Sequence, residues 1–252
     1  MTNADQFQYH VHVRPGDVGR YVVLPGDPGR VEKIASFLDE PHFVSTNREH
    51  TVWTGKLLGE LVSVVSTGMG CPSTAIAVEE LIKVGADTFI RVGTAGAVQP
   101  GMSLGDVAIV TGAIRDEGTT RQYLPLEYPA VADLTVVNAL VAAAKTLGIG
   151  AQLGVSHTKD NFYGEIEMDR MPIADEIKMR WKAWVAGGAI CSEMEASVIF
   201  ILSSIYRKRS GAVLTVVGSD TETLKAKKAS PDAMIQVAIE AIKGLIRQDR
   251  GR

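Results

Sequence analysis

The sequence repeats one local pattern, in which a short apolar run is followed by a glycine turn, a proline and a segment of helical period. Residues 21–24 read Tyr-Val-Val-Leu and lead into Gly26-Asp27-Pro28-Gly29. Residues 61–65 read Leu-Val-Ser-Val-Val and lead into Gly-Met-Gly-Cys-Pro at 68–72. Apolar runs of this length are typical of buried strands, and a capping residue followed by proline is a common helix start. The pattern predicts an α/β fold in which helices cover a mostly parallel sheet.

The rest of the chain continues this alternation. Further strands are expected at residues 88–92, 107–113, 153–157 and 212–217. Further helices are expected near residues 134–147, 174–185, 193–207 and 232–247. Neither a linker rich in Pro, Gly or Ser nor a shift in composition divides the chain, so we expect one domain over residues 1–252.

Charge and cysteine usage narrow the classes of partner. The 26 Lys and Arg residues against 29 Asp and Glu give a net charge of −3, which argues against nucleic acid or an acidic membrane surface and favours a small molecule. Cys71 and Cys191 are the only cysteines and form no C-x-x-C motif, so we expect free thiols rather than disulfides or zinc ligands. We also expect a cytoplasmic protein, since neither a signal peptide nor a membrane-spanning apolar run is recognisable in the sequence.

An arginine lies inside an otherwise apolar strand. Arg91 comes two residues before the turn Gly93-Thr94-Ala95-Gly96. A buried guanidinium needs an anion, because leaving it unpaired is strongly destabilising. The turn offers a threonine hydroxyl and backbone N–H groups that a ligand can approach closely. The stretch leaves two interpretations equally open, a bound anion or an internal salt bridge to a carboxylate.

Two further arginines favour the bound anion. Arg30 follows the first glycine turn at a helix N-terminus, where anions are favoured, and Arg48 lies in a polar connection between two expected strands. Guanidinium groups match phosphate oxygens in bidentate geometry, so two or three of these arginines together would form a phosphate site. Neither glycine turn ends in the Gly-Lys-Ser/Thr of a P-loop, which argues against ATP chemistry.

The turn at 68–73 gives a weak match to a dinucleotide-binding motif. It follows a strand and precedes a helix, but Ser73 replaces the third glycine and the turn is not the first βα turn of the chain. Packing of the glycines against a helix is therefore the preferred interpretation over a dehydrogenase.

Two carboxylates, Glu193 and Glu195, stand at the start of the helix expected near 193–207. The helix dipole alone could explain them, and residues two apart on a helix point to different faces, so at most one is expected to face a ligand. A carboxylate that accepts from two adjacent hydroxyls is well suited to bind ribose. His10 and His12 lack the neighbouring ligands that a metal site requires.

Together these motifs resemble the nucleoside phosphorylases of the trimeric and hexameric type, and are most similar to the bacterial uridine phosphorylases. The resemblance covers nearly the whole chain. The resemblance rests on residues 25–30, 48–49, 66–73, 91–96, 162–164 and 193–195. It implies a single-domain three-layer α-β-α fold with a central mixed, partly barrel-like sheet.

The resemblance also implies a role for each matching residue. Phosphate would be bound by Gly26, Arg30, Arg48, Arg91 and Thr94, with Arg48 supplied by a neighbouring subunit. Ribose would be bound by Glu193, Met194, Glu195 and the neighbour's copy of His10. The base would be bound by Ala95, Gly96, Phe162, Glu165, Arg170 and Asp220. Catalysis would depend on Arg30, Arg48, Arg91, Thr94, Glu195 and Arg170.

Assembly and cofactors also follow from the resemblance. It implies a hexamer built from dimers and a potassium ion at the dimer interface, bound by Glu49, Met69 and Ser73. An organic cofactor is not expected, and inorganic phosphate would be the co-substrate.

The expected base pocket departs from the uridine phosphorylase pattern. That pattern carries a Gln and an Arg after the Phe-Tyr pair, and the matching positions here are Glu165 and Arg170. An ionised Glu165 can accept from the uracil N3–H but would face the O2 carbonyl acceptor to acceptor. Asp220 follows the strand at 212–217, where purine enzymes place the acid that protonates the base, although it also fits a loop or cap residue. Uridine is the expected substrate and a purine nucleoside is the alternative.

The chemistry expected of such a site is electrostatic. Cleaving an N-glycosidic bond places positive charge on the ribose and negative charge on the base. The three arginines would hold phosphate beneath the anomeric carbon, and Arg170 with backbone groups would support the departing base. A nucleosidase would use water and would not need those arginines. A nucleoside-binding protein without turnover is the alternative that the altered base pocket leaves open.

Overall fold

The computed structural model describes residues 7–218 and 232–251. Within them the strands are β1 (Tyr21–Pro25), β2 (Asp39–Asn47), β3 (His50–Leu57), β4 (Glu60–Val65), β5 (Thr88–Ala97), β6 (Val107–Asp116), β7 (Ala130–Val131), β8 (Ala151–Lys159), β9 (Cys191–Glu193) and β10 (Arg209–Gly218). The helices are α1 (Val31–Ala35), α2 (Cys71–Lys83), α3 (Leu134–Leu147), α4 (Tyr163–Ile166), α5 (Ala174–Ala186), α6 (Ala196–Ile205) and α7 (Asp232–Arg250). Short 3₁₀ turns lie at Pro28–Arg30, Thr120–Gln122 and Met168–Arg170.

The described strands form one mixed sheet that is partly closed. Its order is β10-β6-β8-β9-β5-β1-β4-β3-β2, and β10 also pairs with β5 in parallel. This second pairing closes β5, β10, β6, β8 and β9 into a barrel, from which β1, β4, β3 and β2 continue as an open sheet. The expected α/β class and the partly barrel-like sheet are confirmed.

The sheet is buried on both faces. Along β1, Val22 and Leu24 belong to one core cluster, which also holds apolar residues of α2 and α6. Tyr21 and Val23 belong to a second cluster, with apolar residues of α1, α3 and α7. Because side chains alternate across a strand, every residue of such a strand is apolar, as in the 21–24 run.

The strand register places Arg91 in the middle of the sheet. Arg91 stands opposite Leu24 of β1 and Ala212 of β10. Phe89, two residues earlier, lies in the cluster with α2 and α6, so Arg91 points to the same side of the sheet. The guanidinium is thereby directed toward the segment that begins α6.

The predicted start of the helix near 193–207 is wrong. Cys191–Glu193 forms β9, and α6 begins only at Ala196. The backbone of this segment is paired on both sides, since Ser192 stands opposite Gly96 of β5 and Glu193 stands opposite Thr158 of β8. Sheet pairing between distant strands therefore outweighs the local helix signal.

The expected N-cap at Asp27 is confirmed. Asp27 Oδ1 accepts from the backbone N–H of Gly29 at 2.8 Å, and Pro28 opens the turn. The helix that follows is short, because a 3₁₀ turn at Pro28–Arg30 precedes the five residues of α1.

Across the two described ranges, we find no helix that has both the length and the apolar character needed to cross a membrane. Cys71 and Cys191 are both buried and free.

Candidate active site

One cavity of about 660 Å³ collects most of the predicted site residues. It lies where the turns after β1 and β4, the second half of β5, and the ends of β8 and β10 meet β9 and α4. The predicted residues that line it are Gly26, Arg30, Glu49, Met69, Ser73, Arg91, Thr94, Ala95, Gly96, Phe162, Glu165, Glu193, Met194 and Glu195. Segments far apart in the sequence therefore share one concave site.

Arg91 is bound by two carboxylates inside this cavity. Its side chain is 4% exposed, its Nε donates to Glu193 Oε2 at 2.9 Å, and its Nη2 pairs with Glu195 Oε2. The internal salt bridge that the sequence left open is therefore present. Two carboxylates around one guanidinium leave an excess of negative charge in a buried place. Burial raises the pKa of Glu195, and the charge of Glu193 raises it further against the opposing effect of Arg91.

Glu193 is fixed by further hydrogen bonds. Its Oε1 accepts from Thr158 Oγ1 at 2.5 Å, and its Oε2 accepts from the backbone N–H groups of Glu195 and Ala196 at 2.8 Å each. Glu193 thus satisfies the first N–H groups of α6 while it holds Arg91. Glu195 is held less fully, since its Oε1 accepts from Gly70 N at 2.6 Å and, within the described part of the chain, its Oε2 contacts only Arg91. We expect the contact between Glu195 and Arg91 to be the exchangeable one.

The premise that Glu193 and Glu195 point to different faces is wrong, and the expectation that at most one of them faces a ligand stays a prediction. Both Glu193 and Glu195 line the cavity and reach the same guanidinium. The rule applies to residues two apart on a helix, whereas Glu193 ends a strand and Glu195 precedes the first residue of α6. In extended chain, residues two apart lie on the same side.

Arg30 lines the cavity without a close partner. Its Nε lies 3.6 Å from Asp27 Oδ2, near the limit of an ion pair, and both side chains are partly exposed. Such a contact contributes little energy. Gly26 and Thr94 line the cavity as well. Arg30 is therefore the arginine of this cavity that is readily available to an incoming anion.

Arg48 and His10 do not line this cavity. Arg48 is exposed in the tight turn between β2 and β3, with a φ of 54°. His10 Nδ1 lies 2.7 Å from Glu80 Oε1. The expectation that both residues serve the site of a neighbouring subunit stays a prediction.

The far end of the cavity carries an ion pair that the sequence analysis missed. Lys159, the last residue of β8, lines the cavity beside Phe162 and Glu165. Its Nζ lies 2.5 Å from Glu165 Oε2, and both side chains are more than 90% buried. Ser156, His157 and Thr158 precede it, so Lys159 lacks the apolar flanks that mark Arg91 in the sequence.

Arg170 does not line this cavity. Arg170 is 65% exposed, pairs with Glu167 at 2.7 Å and covers the ring of Tyr163. Arg170 ends a 3₁₀ turn, and its ion pair with Glu167, three residues earlier, keeps its side chain outside the cavity. The structure therefore gives no support to its predicted base-binding and catalytic role. Asp220 lies outside the described residues.

The residues expected to bind potassium lie together at the edge of the cavity. Ser73 Oγ lies 2.5 Å from Glu49 Oε1 and from the carbonyl oxygen of Thr67, and the pKa of Glu49 is lowered chiefly by the Ser73 hydrogen bond. The Met69 side chain is 85% exposed. No group of three or more His, Cys, Asp or Glu in the described ranges is arranged to hold a metal. A single chain supplies one carboxylate and one hydroxyl, so this donor set fits half of a shared site for a hard cation.

Comparison with known proteins agrees with this geometry. Residues 20–248 match the phosphorylase superfamily. The chain is 49% identical over 249 residues to the uridine phosphorylase of Treponema pallidum (97% of this chain, 96% of that protein). It is 36% identical over 255 residues to the uridine phosphorylase of Escherichia coli (98% and 100%), and 37% identical over 249 residues to the guanosine phosphorylase of Halorubrum lacusprofundi (94% and 99%). The chain belongs to the phosphorylase superfamily.

Proposed function

We propose that this protein is a uridine phosphorylase, which converts uridine and inorganic phosphate to uracil and ribose 1-phosphate. The observation that carries this proposal is the single cavity in which Arg30 and Arg91 stand with Glu195 and Phe162. A cationic end suits phosphate, a buried carboxylate suits the ribose hydroxyls, and an aromatic ring suits the base. Near full-length similarity to uridine phosphorylases at 36% to 49% identity supports the same reaction.

The reaction breaks the C1′–N1 bond and forms a bond from a phosphate oxygen to C1′. The electron pair of the broken bond goes to uracil, and the proton released by hydrogen phosphate ends on the base. Arg30 and Arg91 hold the phosphate below C1′, where its negative charge stabilises the cationic ribose. The protein therefore acts by positioning and electrostatic stabilisation, without a covalent intermediate.

Glu195 changes partner during this cycle. In the ligand-free chain it occupies Nη2 of Arg91. When ribose binds, its 2′ and 3′ hydroxyls donate to Glu195, and Arg91 Nη2 becomes available to a phosphate oxygen. Glu193 keeps its contact with Arg91 Nε, so the guanidinium stays in the same plane.

Gly93 leaves room for this arginine. A Cβ at position 93 would stand 2.9 Å from Arg91 Nη2 and 3.0 Å from Cζ. Gly93→Ala is expected to displace the guanidinium and to lower kcat/KM for phosphate about tenfold. Steady-state kinetics with phosphate varied would measure this. Gly101→Ala is the matched control, because a Cβ there meets nothing within 4 Å. Equal kinetics in the two variants would contradict the role of Gly93.

A pair of such chains forms the active unit, and three pairs form a hexamer. The cavity of one chain contains Arg30 but not Arg48 or His10, which supports their contribution from a neighbour. Arg48 stands in an exposed turn, from which it can reach another chain.

Mixing two inactive variants tests this shared site. Arg30→Ala and Arg48→Ala are each expected to lower activity about 100-fold, because each removes a phosphate contact. In a mixed dimer one of the two sites has both arginines, so co-refolded mixtures are expected to recover about a quarter of the activity of the unchanged enzyme. Sedimentation would confirm that mixed oligomers form. A mixture that stays as inactive as its components would place both arginines in the same chain's site.

Glu49, Met69 and Ser73 provide half of a potassium site between two chains. The ion would neutralise carboxylates at the interface and hold the two half-sites in register. The cytoplasmic location and the single domain over residues 1–252 stay predictions.

The alternative substrate is a purine nucleoside, which the similarity to a guanosine phosphorylase favours. Base release from uridine, thymidine, inosine and adenosine at saturating phosphate decides between them. We expect uridine to have the highest kcat/KM. Release from purine nucleosides alone would contradict the uridine proposal.

A further inference from the structure

The buried ion pair at the far end of the cavity has an arrangement suited to reading a base. Lys159 Nζ donates to Ser192 Oγ at 2.7 Å and to Glu165 Oε2 at 2.5 Å. Ser192 Oγ also donates to Glu165 Oε2 at 2.5 Å. These two contacts use two of the three N–H donors of the ammonium group, and the third can serve a ligand.

The second oxygen of Glu165 faces the cavity. Its Oε1 lies against Gly96, where an added Cβ would stand 2.9 Å away. Gly96 lines the same cavity as Lys159, Glu165 and Phe162. The absence of a side chain at position 96 thus leaves an acceptor oxygen open beside the place where the base would stack.

A series of hydrogen bonds behind Lys159 and Glu165 fixes the position of this ion pair. His157 Nδ1 lies 3.1 Å from Ser192 Oγ, and His157 Nε2 lies 3.0 Å from Asp116 Oδ2. Ser192 is further held in β9 between β5 and β8. A base-reading group must be held in this way, because a loosely held donor loses its discrimination.

We infer that Lys159 and Glu165 together read the lactam edge of the base, in which a ring N–H stands next to a carbonyl. This inference rests on the proposed function. Glu165 Oε1 accepts from N3–H of uracil, and Lys159 donates to the O4 carbonyl oxygen beside it. The acceptor-to-acceptor conflict with the O2 carbonyl does not arise, because Glu165 Oε2 is engaged by Lys159 and Ser192 and only Oε1 is open to the base.

The same pair rejects the bases with the opposite pattern. Cytosine and adenine carry an unprotonated ring nitrogen next to an amino group, so their acceptor would face the carboxylate and their donor would face the ammonium group. Guanine and hypoxanthine share the lactam edge of uracil. We therefore expect the pair to select uracil and 6-oxopurines against cytosine and adenine. The size of the cavity would then decide between uracil and the 6-oxopurines.

Lys159 also takes part in bond cleavage. The electron pair that leaves C1′ is delocalised from N1 onto the carbonyl oxygens of uracil. An ammonium group on one of these oxygens binds the departing anion more strongly than the neutral base. Lys159 is thus the catalytic residue at the base end of the site.

Selectivity tests Glu165. In Glu165→Gln the amide can turn and donate to N3 of cytosine, so the ratio of kcat/KM for uridine to that for cytidine is expected to fall at least about tenfold. Turnover of 3-methyluridine, which lacks the N3–H, is expected to be poor in the unchanged enzyme. An unchanged uridine-to-cytidine ratio in Glu165→Gln would overturn the inference.

Leaving-group dependence tests Lys159. Lys159→Met, which keeps the length of the side chain, is expected to lower kcat for uridine about 100-fold. The loss is expected to be at least about threefold smaller with 5-fluorouridine, whose base is a better leaving group and needs less help from the cation. Lys178→Met is the matched control, since Lys178 pairs with Asp169 on the exposed surface.

The outcomes separate this inference from the proposed function. If the unchanged enzyme does not cleave uridine with phosphate, the proposed function is wrong. If it cleaves uridine, an equal loss with both nucleosides in folded Lys159→Met, or a larger loss in Arg170→Ala than in Lys159→Met, overturns the role of Lys159. Circular dichroism of each variant establishes that it is folded.

Discussion

Replacing Arg91 by methionine is expected to lower kcat/KM for uridine phosphorolysis about 1,000-fold and the free energy of unfolding by about 3–5 kcal/mol. The activity falls because the phosphate loses the cation that holds one of its oxygens. The stability falls because Glu193 and Glu195 are left in a buried place without their cation. Initial rates and urea unfolding would measure the two effects on the same preparation.

Arg209→Met is the matched control for this prediction. Arg209 pairs with Asp249 at 2.7 Å and donates to Thr88, at the end of β5 and β10 away from the cavity. This variant is expected to lose stability while the folded fraction keeps its kcat/KM. A similar loss of specific activity in both variants would show that Arg91 acts only through the fold.

Glu195→Gln is expected to separate the two roles of this carboxylate. Without nucleoside, phosphate should bind about tenfold more tightly, because a competing negative charge beside Arg91 is removed. With uridine, kcat/KM should fall about 100-fold, because the amide has one acceptor oxygen where the carboxylate has two, and it carries no charge. Calorimetric titration with phosphate and initial rates would measure both. Unchanged phosphate affinity would contradict the exchange of partners at Arg91.

The same variant has a predictable pH dependence. The folded-state pKa of Glu195 lies above its ordinary value of 4.5. The folded protein therefore holds this proton more tightly than the unfolded chain, and the resulting stabilisation is complete below 4.5 and is lost as pH rises through the raised pKa. As the pH rises above 4.5 and through the raised pKa, the free energy of unfolding of Glu195→Gln should thus rise relative to that of the unchanged protein. A difference that stays constant over this range would contradict the raised pKa.

The sequence was sufficient for the fold where local signals and burial agree. The 21–24 run is apolar throughout because both of its faces are covered, and Asp27 with Pro28 marks the following turn in the chain itself. The start of α6 could not be predicted in this way. The β9 strand exists because β5 and β8, about 100 and 35 residues earlier, supply its backbone partners.

The site was predictable to a similar extent. Arg91 and the glycine turn after it stood out because a charge in an apolar strand demands a partner. The identity of that partner depends on which strand ends meet, and the sequence did not show that both Glu193 and Glu195 reach it. The sequence did not identify Lys159, because the family resemblance assigns Glu165 to the base without a cationic partner. In the folded chain Lys159 and Glu165 form an ion pair.

Uracil release from uridine, measured with and without inorganic phosphate, tests the central claim most directly. We expect release to depend on phosphate and to produce one ribose 1-phosphate for each uracil, which phosphorus NMR detects. Release at the same rate in phosphate-free buffer, with free ribose as the product, would show that water is the nucleophile and would contradict a phosphate site built on Arg30 and Arg91.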